Sequence, residues 1–109
     1  MLSIERNRIR ITRGDTLRLT IQIKDQNNND YKPEDGDTIR FACKKYYDDE
    51  MPLIIKNIPT ESMELHLNPE DTKGMEQPSD YVYDIQVTLS NGDVYTVVSG
   101  IFEITEEVD

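Results

Sequence analysis

A single histidine, a single cysteine and two acidic clusters are the groups in this chain whose types could do chemistry. His66 would serve as a general base only beside a nucleophile and an orienting carboxylate. It sits on the polar parity of a short alternating run, in which Met63, Leu65 and Leu67 face away from Glu64, His66 and Asn68. That placement indicates an exposed surface histidine. Cys43 shares its parity with Ile39 and Phe41, so a buried, inert thiol is expected. With no second cysteine it forms neither an internal disulfide nor a thiolate metal cage. Residues 25–30 (DQNNND) begin like a calcium loop. The match fails at position six, which is Asp30 where glycine is needed, and at position twelve, which is Gly36 where glutamate is needed. Asp48, Asp49 and Glu50 read as a solvated hairpin tip. Arg13-Gly14-Asp15 spells the integrin-ligand tripeptide, but it lies between two apolar runs, where a tight turn or a crossing between sheets is expected. No phosphate-cradling glycine loop and no paired-carboxylate arrangement can be argued. The sequence assigns no catalytic, cofactor or metal residues, and an enzyme is not expected.

Charge narrows the partners. The chain has 109 residues, with 12 basic against 22 acidic side chains, a net −10. That balance opposes nucleic-acid backbones and anionic membrane surfaces. No apolar run reaches the roughly 20 residues of a spanning helix, and the first residues lack the apolar core of a signal peptide. Arg8 and Arg10 alternate with Ile9 and Ile11, which marks the wet face of a strand; the alternative is a basic arm docking on an acidic surface.

The elements that would position these groups have period two. Leu17, Leu19, Ile21 and Ile23 alternate with polar residues over 16–25. Ile39, Phe41 and Cys43 mark a strand over 38–45, and 53–58 is a short apolar run. Tyr81, Tyr83, Ile85, Val87 and Leu89 alternate over 80–89. Asn91-Gly92 is a strong hairpin signal, and a long strand returns over 94–105 with a bulge or bend expected at Gly100. The one helical start is at Asn68-Pro69-Glu70-Asp71, giving a short helical turn near Pro69–Lys73 that stops at Gly74. Together these predict an all-β, immunoglobulin-like antiparallel β-sandwich of about seven strands. One domain spans 1–105, and 106–109 form an acidic, frayed tail.

Two places suggest contact with a partner. The last strand is apolar on both parities: Val94, Val98, Phe102 and Ile104 on one, and Tyr95, Val97 and Ile101 on the other. A strand with one wet face should not show this. Either another segment of the chain covers the second face, or a partner does. Tyr46 and Tyr47 form a second candidate contact, the alternative being packing across the mouth of the sandwich. The interface candidates are therefore Tyr95, Val97, Ile101, Tyr46 and Tyr47.

Five stretches carry a family resemblance: 11–21 (ITRGDTLRLTI), 67–72 (LNPEDT), 81–87 (YVYDIQV), 91–96 (NGDVYT) and 100–105 (GIFEIT). In this order they resemble small structural proteins of tailed phages and prophages. The pattern is similar to the N-terminal domain of phage baseplate upper proteins and to related immunoglobulin-like virion modules. The resemblance spans nearly the whole chain. It implies a non-enzymatic structural or assembly protein of a tail, baseplate or neck, made in the bacterial cytoplasm. Its partners would be other phage structural proteins or further copies of itself, with no cofactor, nucleic acid or membrane insertion. The alternative is a β-sandwich module that binds host-surface carbohydrate or another ligand. The stretch 68–72 also resembles the corner before the tyrosine strand of antibody variable domains. Cys43 has no partner and there is no tryptophan, so that family is excluded; the device of Tyr81 or Tyr83 bonding its hydroxyl to the corner backbone is retained as an expectation.

Overall fold

The computed structural model describes residues 3–5, 7–24 and 29–108. Eight strands and one helix follow in order: β1 (Ser3–Glu5), β2 (Arg8–Thr12), β3 (Leu17–Thr20), β4 (Thr38–Lys44), β5 (Ile54–Ile58), β6 (Glu64–Leu67), α1 (Pro69–Lys73), β7 (Ser79–Thr88) and β8 (Val94–Thr105). Among the described residues they make a six-stranded sheet, β1-β2-β8-β7-β4-β5, and a two-stranded sheet, β3-β6. The fold is an all-β sandwich whose larger sheet curls into a half-barrel. The strands β8-β7-β4-β5 of the large sheet face the pair β3-β6 across the core.

One pair departs from the antiparallel expectation. β2 and β8 run parallel, with Arg8 to Thr12 beside Ile101 to Thr105. No hairpin joins them, because the chain leaves the large sheet at Arg13-Gly14 and crosses to the small one. Gly14 turns this corner at φ +84, a left-handed conformation that glycine adopts at no steric cost. Its N–H donates to Thr72 Oγ1 at 2.7 Å, and Arg13 Nε donates to the Lys73 carbonyl at 2.8 Å. Glu107 joins the same cluster through Lys73 at 2.8 Å and Arg13 at 3.4 Å. Its own N–H donates to Gln77 Oε1 at 3.0 Å. The segment expected to fray is therefore pinned at Glu107.

The alternating parities define the core. Ile9, Ile11, Ile39, Phe41, Cys43, Tyr81, Tyr83, Ile85, Phe102 and Ile104 of the large sheet are buried against Leu17, Leu65 and Leu67 of the small one. Phe41 is central, with ring centroids 5.6 Å from Tyr83 and 5.9 Å from Phe102. Burial of such a side chain is worth roughly 1.5–3 kcal/mol. β3 is shorter than the expected 16–25. Its partner β6 begins only at Glu64, and Met63 turns away at φ 55. Ile21 keeps one bond, its N–H to the Met63 carbonyl at 2.8 Å, and then the ladder ends.

The corner forms as expected at Pro69–Lys73. The Asp71 carboxylate accepts the Asn68 N–H at 2.7 Å, and the Tyr81 hydroxyl accepts the Glu76 N–H at 2.7 Å. Gly74 follows at φ −84, so the helix ends without a left-handed glycine.

β8 corrects the sequence reading in two respects. Ile85 stands opposite Val98, but Gln86 stands opposite Thr96, so Val97 is the extra residue of a bulge. The bulge inverts the parity. Val98, Phe102 and Ile104 share the inner side after it, and Tyr95, opposite Val87, lies on the inner side before it. Much of the apolarity on both parities is therefore intrachain. The expected bend is thus at Val97 rather than Gly100. Gly100 meets a different demand: a Cβ there would lie 1.9 Å from the Asn7 carbonyl oxygen. Asn7, at φ 65, brings the chain from β1 into β2, and its carbonyl also accepts the Tyr83 hydroxyl at 2.8 Å.

Replacing Gly100 by alanine therefore forces the β2 edge away from β8. Overpacking of this kind costs about 2 kcal/mol or more, which corresponds to a melting point lower by roughly 10 °C. A Gly100→Ala variant that melts with the wild type in scanning calorimetry would contradict the close approach.

Candidate interaction surface

The connection between β4 and β5 is a turn closed by its own acid. The Tyr46 N–H donates to Asp49 Oδ2 at 3.0 Å, and the Asp49 N–H donates to the Tyr46 carbonyl at 3.1 Å. This i to i+3 turn leaves Tyr46 and Tyr47 in solvent, at 61% and 70% exposure. They do not pack across the mouth of the sandwich. Met51, Leu53 and Ile55 are also more than half exposed. Five of the eight large apolar side chains exposed among the described residues thus belong to this one hairpin. The sequence reading singled out only the two tyrosines. The missed signal was in 53–58, where Leu53, Ile54 and Ile55 place apolar side chains on both parities.

Beside the hairpin, the outer face of the large sheet carries a depression of about 350 Å³. Register explains it. Ile55, Ala42, Asp84 and Ser99 form one row across β5, β4, β7 and β8. Asn57, Arg40, Gln86 and Thr96 form the row on one side, and Lys44, Val82 and Ile101 the row on the other. The short side chains Ala42 and Ser99 leave a slot between longer neighbours, and Tyr47, Glu50 and Pro52 of the hairpin border it. Along one side, Arg40 Nη2 donates to Gln86 Oε1 at 3.2 Å, and Gln86 Nε2 reaches Asp84 Oδ2 at 3.4 Å. Asp84 Oδ1 is buried with no hydrogen-bond partner. Such an atom ordinarily costs about 1–3 kcal/mol.

The five interface candidates do not converge. Tyr46 and Tyr47 sit on the hairpin. Tyr95 and Val97 line a separate apolar groove with Val87, Leu89, Ile23 and Tyr31. Tyr95 is about half exposed, and Val97 packs against the core. Ile101 is half-buried on the outer face, between Val82 and Arg8. The arginines of β2 form a wet face locked to acids, with Arg8 at 2.8 Å from Glu103 and 3.2 Å from Asp80, and Arg10 at 3.4 Å from Glu103.

The other chemically equipped residues form no site with one another. His66 stands opposite Arg18, which pairs with Glu64 at 3.1 Å. Cys43 is fully buried, and burial pushes its thiol up to about 12. Asp30 is held by Lys24 at 2.6 Å, while 25–28 of the calcium-like stretch lie outside the described residues. Among the described residues no cluster of His, Cys, Asp or Glu could hold a metal ion, and no helix is long and apolar enough to cross a membrane.

Asp37 ties two loops together. Its carboxylate accepts the Glu34 N–H at 3.0 Å, the Ser90 N–H at 3.0 Å and the Tyr31 hydroxyl. The Glu34 N–H, then the Tyr31 hydroxyl, hold the carboxyl below its ordinary 3.8. Burial first, then Asp37, raises the Tyr31 phenol, which stays protonated and donates. Comparison with protein-family models, with curated proteins and with solved structures finds no significant match.

Two expectations follow from these placements. Because the folded-state value of Asp37 is depressed, its stabilisation is present above about pH 4 and is lost as pH falls through the folded value. Urea midpoints should therefore fall on acidification, and the decline should be shallower in Asp37→Asn, which starts from a lower midpoint; equal acid slopes would show that Asp37 titrates as a free carboxylate. Cys43 should resist a thiol reagent such as Ellman's in the native state and react on denaturation; rapid native labelling would contradict its burial.

Proposed function

We propose that this chain is a non-catalytic assembly module of a tailed-phage or prophage virion, part of a tail, baseplate or neck, acting by protein–protein contact. The observation that carries the contact mechanism is the concentration of exposed apolar side chains on the β4–β5 hairpin, Tyr46, Tyr47, Met51, Leu53 and Ile55. Tyrosine and methionine are enriched at the centres of interfaces, and apolar groups gathered on one element mark a binding site more than scattered ones do. The virion assignment is supported by the ordered motifs, from the stretch at 11–21 through the corner at 67–72 to the returning strand at 91–105, which resemble immunoglobulin-like virion modules. Such a protein is made in the bacterial cytoplasm and taken into the particle by its partners. Fold alone does not assign this role; the hairpin and the motif order support it together.

The carbohydrate reading has less support. A saccharide platform calls for aromatic faces lining a concavity. Tyr47 is the one exposed aromatic ring bordering the outer-face depression among the described residues.

The proposal predicts a fixed number of copies of the chain per purified tailed particle from the parent strain. Quantitative mass spectrometry would count them, and immunogold labelling would place them on the tail, baseplate or neck. Complete, infectious particles that lack the chain would overturn the virion assignment.

A further inference from the structure

We infer that the outer face beneath the β4–β5 hairpin docks a basic protein segment, seating one Lys or Arg side chain in the depression between Tyr47 and Asp84. This rests on the assembly reading and adds the chemistry of the partner.

The slot exists because Ala42 and Ser99 are short and their row neighbours are long. Within it, Asp84 is an acceptor with one oxygen lacking any donor. A folded chain has no stability reason to keep a carboxylate in that condition, since a polar side chain buried short of its hydrogen bonds is a cost. An incoming ammonium or guanidinium that displaces the long 3.4 Å bond from Gln86 gives this carboxylate a charge-assisted partner. Tyr47 offers an exposed ring face to the cation, and Pro52 offers an apolar wall to its alkyl stem.

Charge selects the sign of the guest. Arg40, Lys44, Asp84 and Glu50 all line the depression and cancel one another. Arg40 is already committed to Gln86 at 3.2 Å. With the slot locally neutral, the net −10 of the chain decides, and it favours a cation over an anion. The same number argues against a second copy as the occupant, because two such chains repel. Strand addition at the free edge of β5 is opposed as well. Lys56 lies on the inner parity of that edge, opposite Phe41, and is paired with Asp71 at 3.0 Å. A charge on the inner side of an edge strand blocks pairing with another chain. The partner therefore lies across the sheet face. Its apolar side chains meet Met51 and Ile55, which are exposed beside the depression.

The test is a nuclear magnetic resonance titration of the full chain at low salt with three probes. These are the capped peptide Leu-Arg-Leu-Lys-Leu, the same peptide with glutamate at both charged positions, and the tetramer of N-acetylglucosamine. The expected result is saturable shifts of the Ala42, Asp84 and Ser99 amides with the basic peptide alone, weakened at 0.5 M salt. Asp84→Asn and Tyr47→Ala should each weaken that binding fivefold or more. Asp84→Asn should keep the native spectrum and a melting point no lower than wild type, and Tyr95→Ala, in the separate groove, should bind as wild type does. Equal shifts with both peptides, shifts at these amides with the saccharide instead, or no shift with any probe would overturn the inference. Particles that contain the chain, together with a silent titration, would overturn cation docking while leaving the assembly role standing.

Discussion

The carbonyl of Asn7 lies where a side chain of residue 100 would be, and the rest of the large sheet depends on that approach. It brings β2 alongside β8 in a parallel pair, and the Tyr83 hydroxyl, reaching from the next strand, holds it there. Without this contact Ile9 and Ile11 lose the neighbours that bury them, and one flank of Phe102 opens. The parallel pair also fixes how the chain must travel. β2 has no hairpin partner after it, so the next segment crosses to the small sheet, and Arg13, Gly14, Thr72, Lys73 and Glu107 close that crossing with polar contacts. Core packing and the polar clamp therefore stabilise the same junction from two sides.

How much of this was legible in the sequence depends on range. Strand parity was legible, because burial on one face writes an alternation that any window displays. Ile39, Phe41 and Cys43, and Tyr81 to Val87, lie inward as that alternation requires. The corner at Pro69–Lys73 was legible too, since capping and proline placement are local chemistry. The bulge at Val97 was not, because it is defined by register against β7, and register is a property of two strands. The length of β3 escaped for the same reason, its end being set by where β6 begins. Gly100 is unusual within a strand, but its cause, the Asn7 carbonyl, lies more than ninety residues away in sequence.

The candidate surface divides along the same line. Tyr46 and Tyr47 could be singled out from residue type alone. Met51, Leu53 and Ile55 needed the sheet edge to be known before their exposure meant anything. Asp84 looked like any polar residue of an alternating strand. Its short supply of donors appears only when Ala42, Gln86 and Ser99 stand around it. The apolar pattern of β8 pointed to a contact face, but the bulge turns Val97 inward with Val98 and leaves Ile101 beside Arg8.

The hairpin that carries most of the exposed apolar side chains among the described residues contributes few of them to the core. Its turn is held by Asp49 and by the Leu53 N–H donated to the Cys43 carbonyl at 2.7 Å. Tyr46, Tyr47 and Met51 can therefore change identity at little cost to folding, since surface substitutions of this kind usually alter stability by less than about 0.5 kcal/mol. The proposed recognition and the foldability of this chain are written in different residues. A lineage that must follow a changing partner can revise the first while inheriting the second intact.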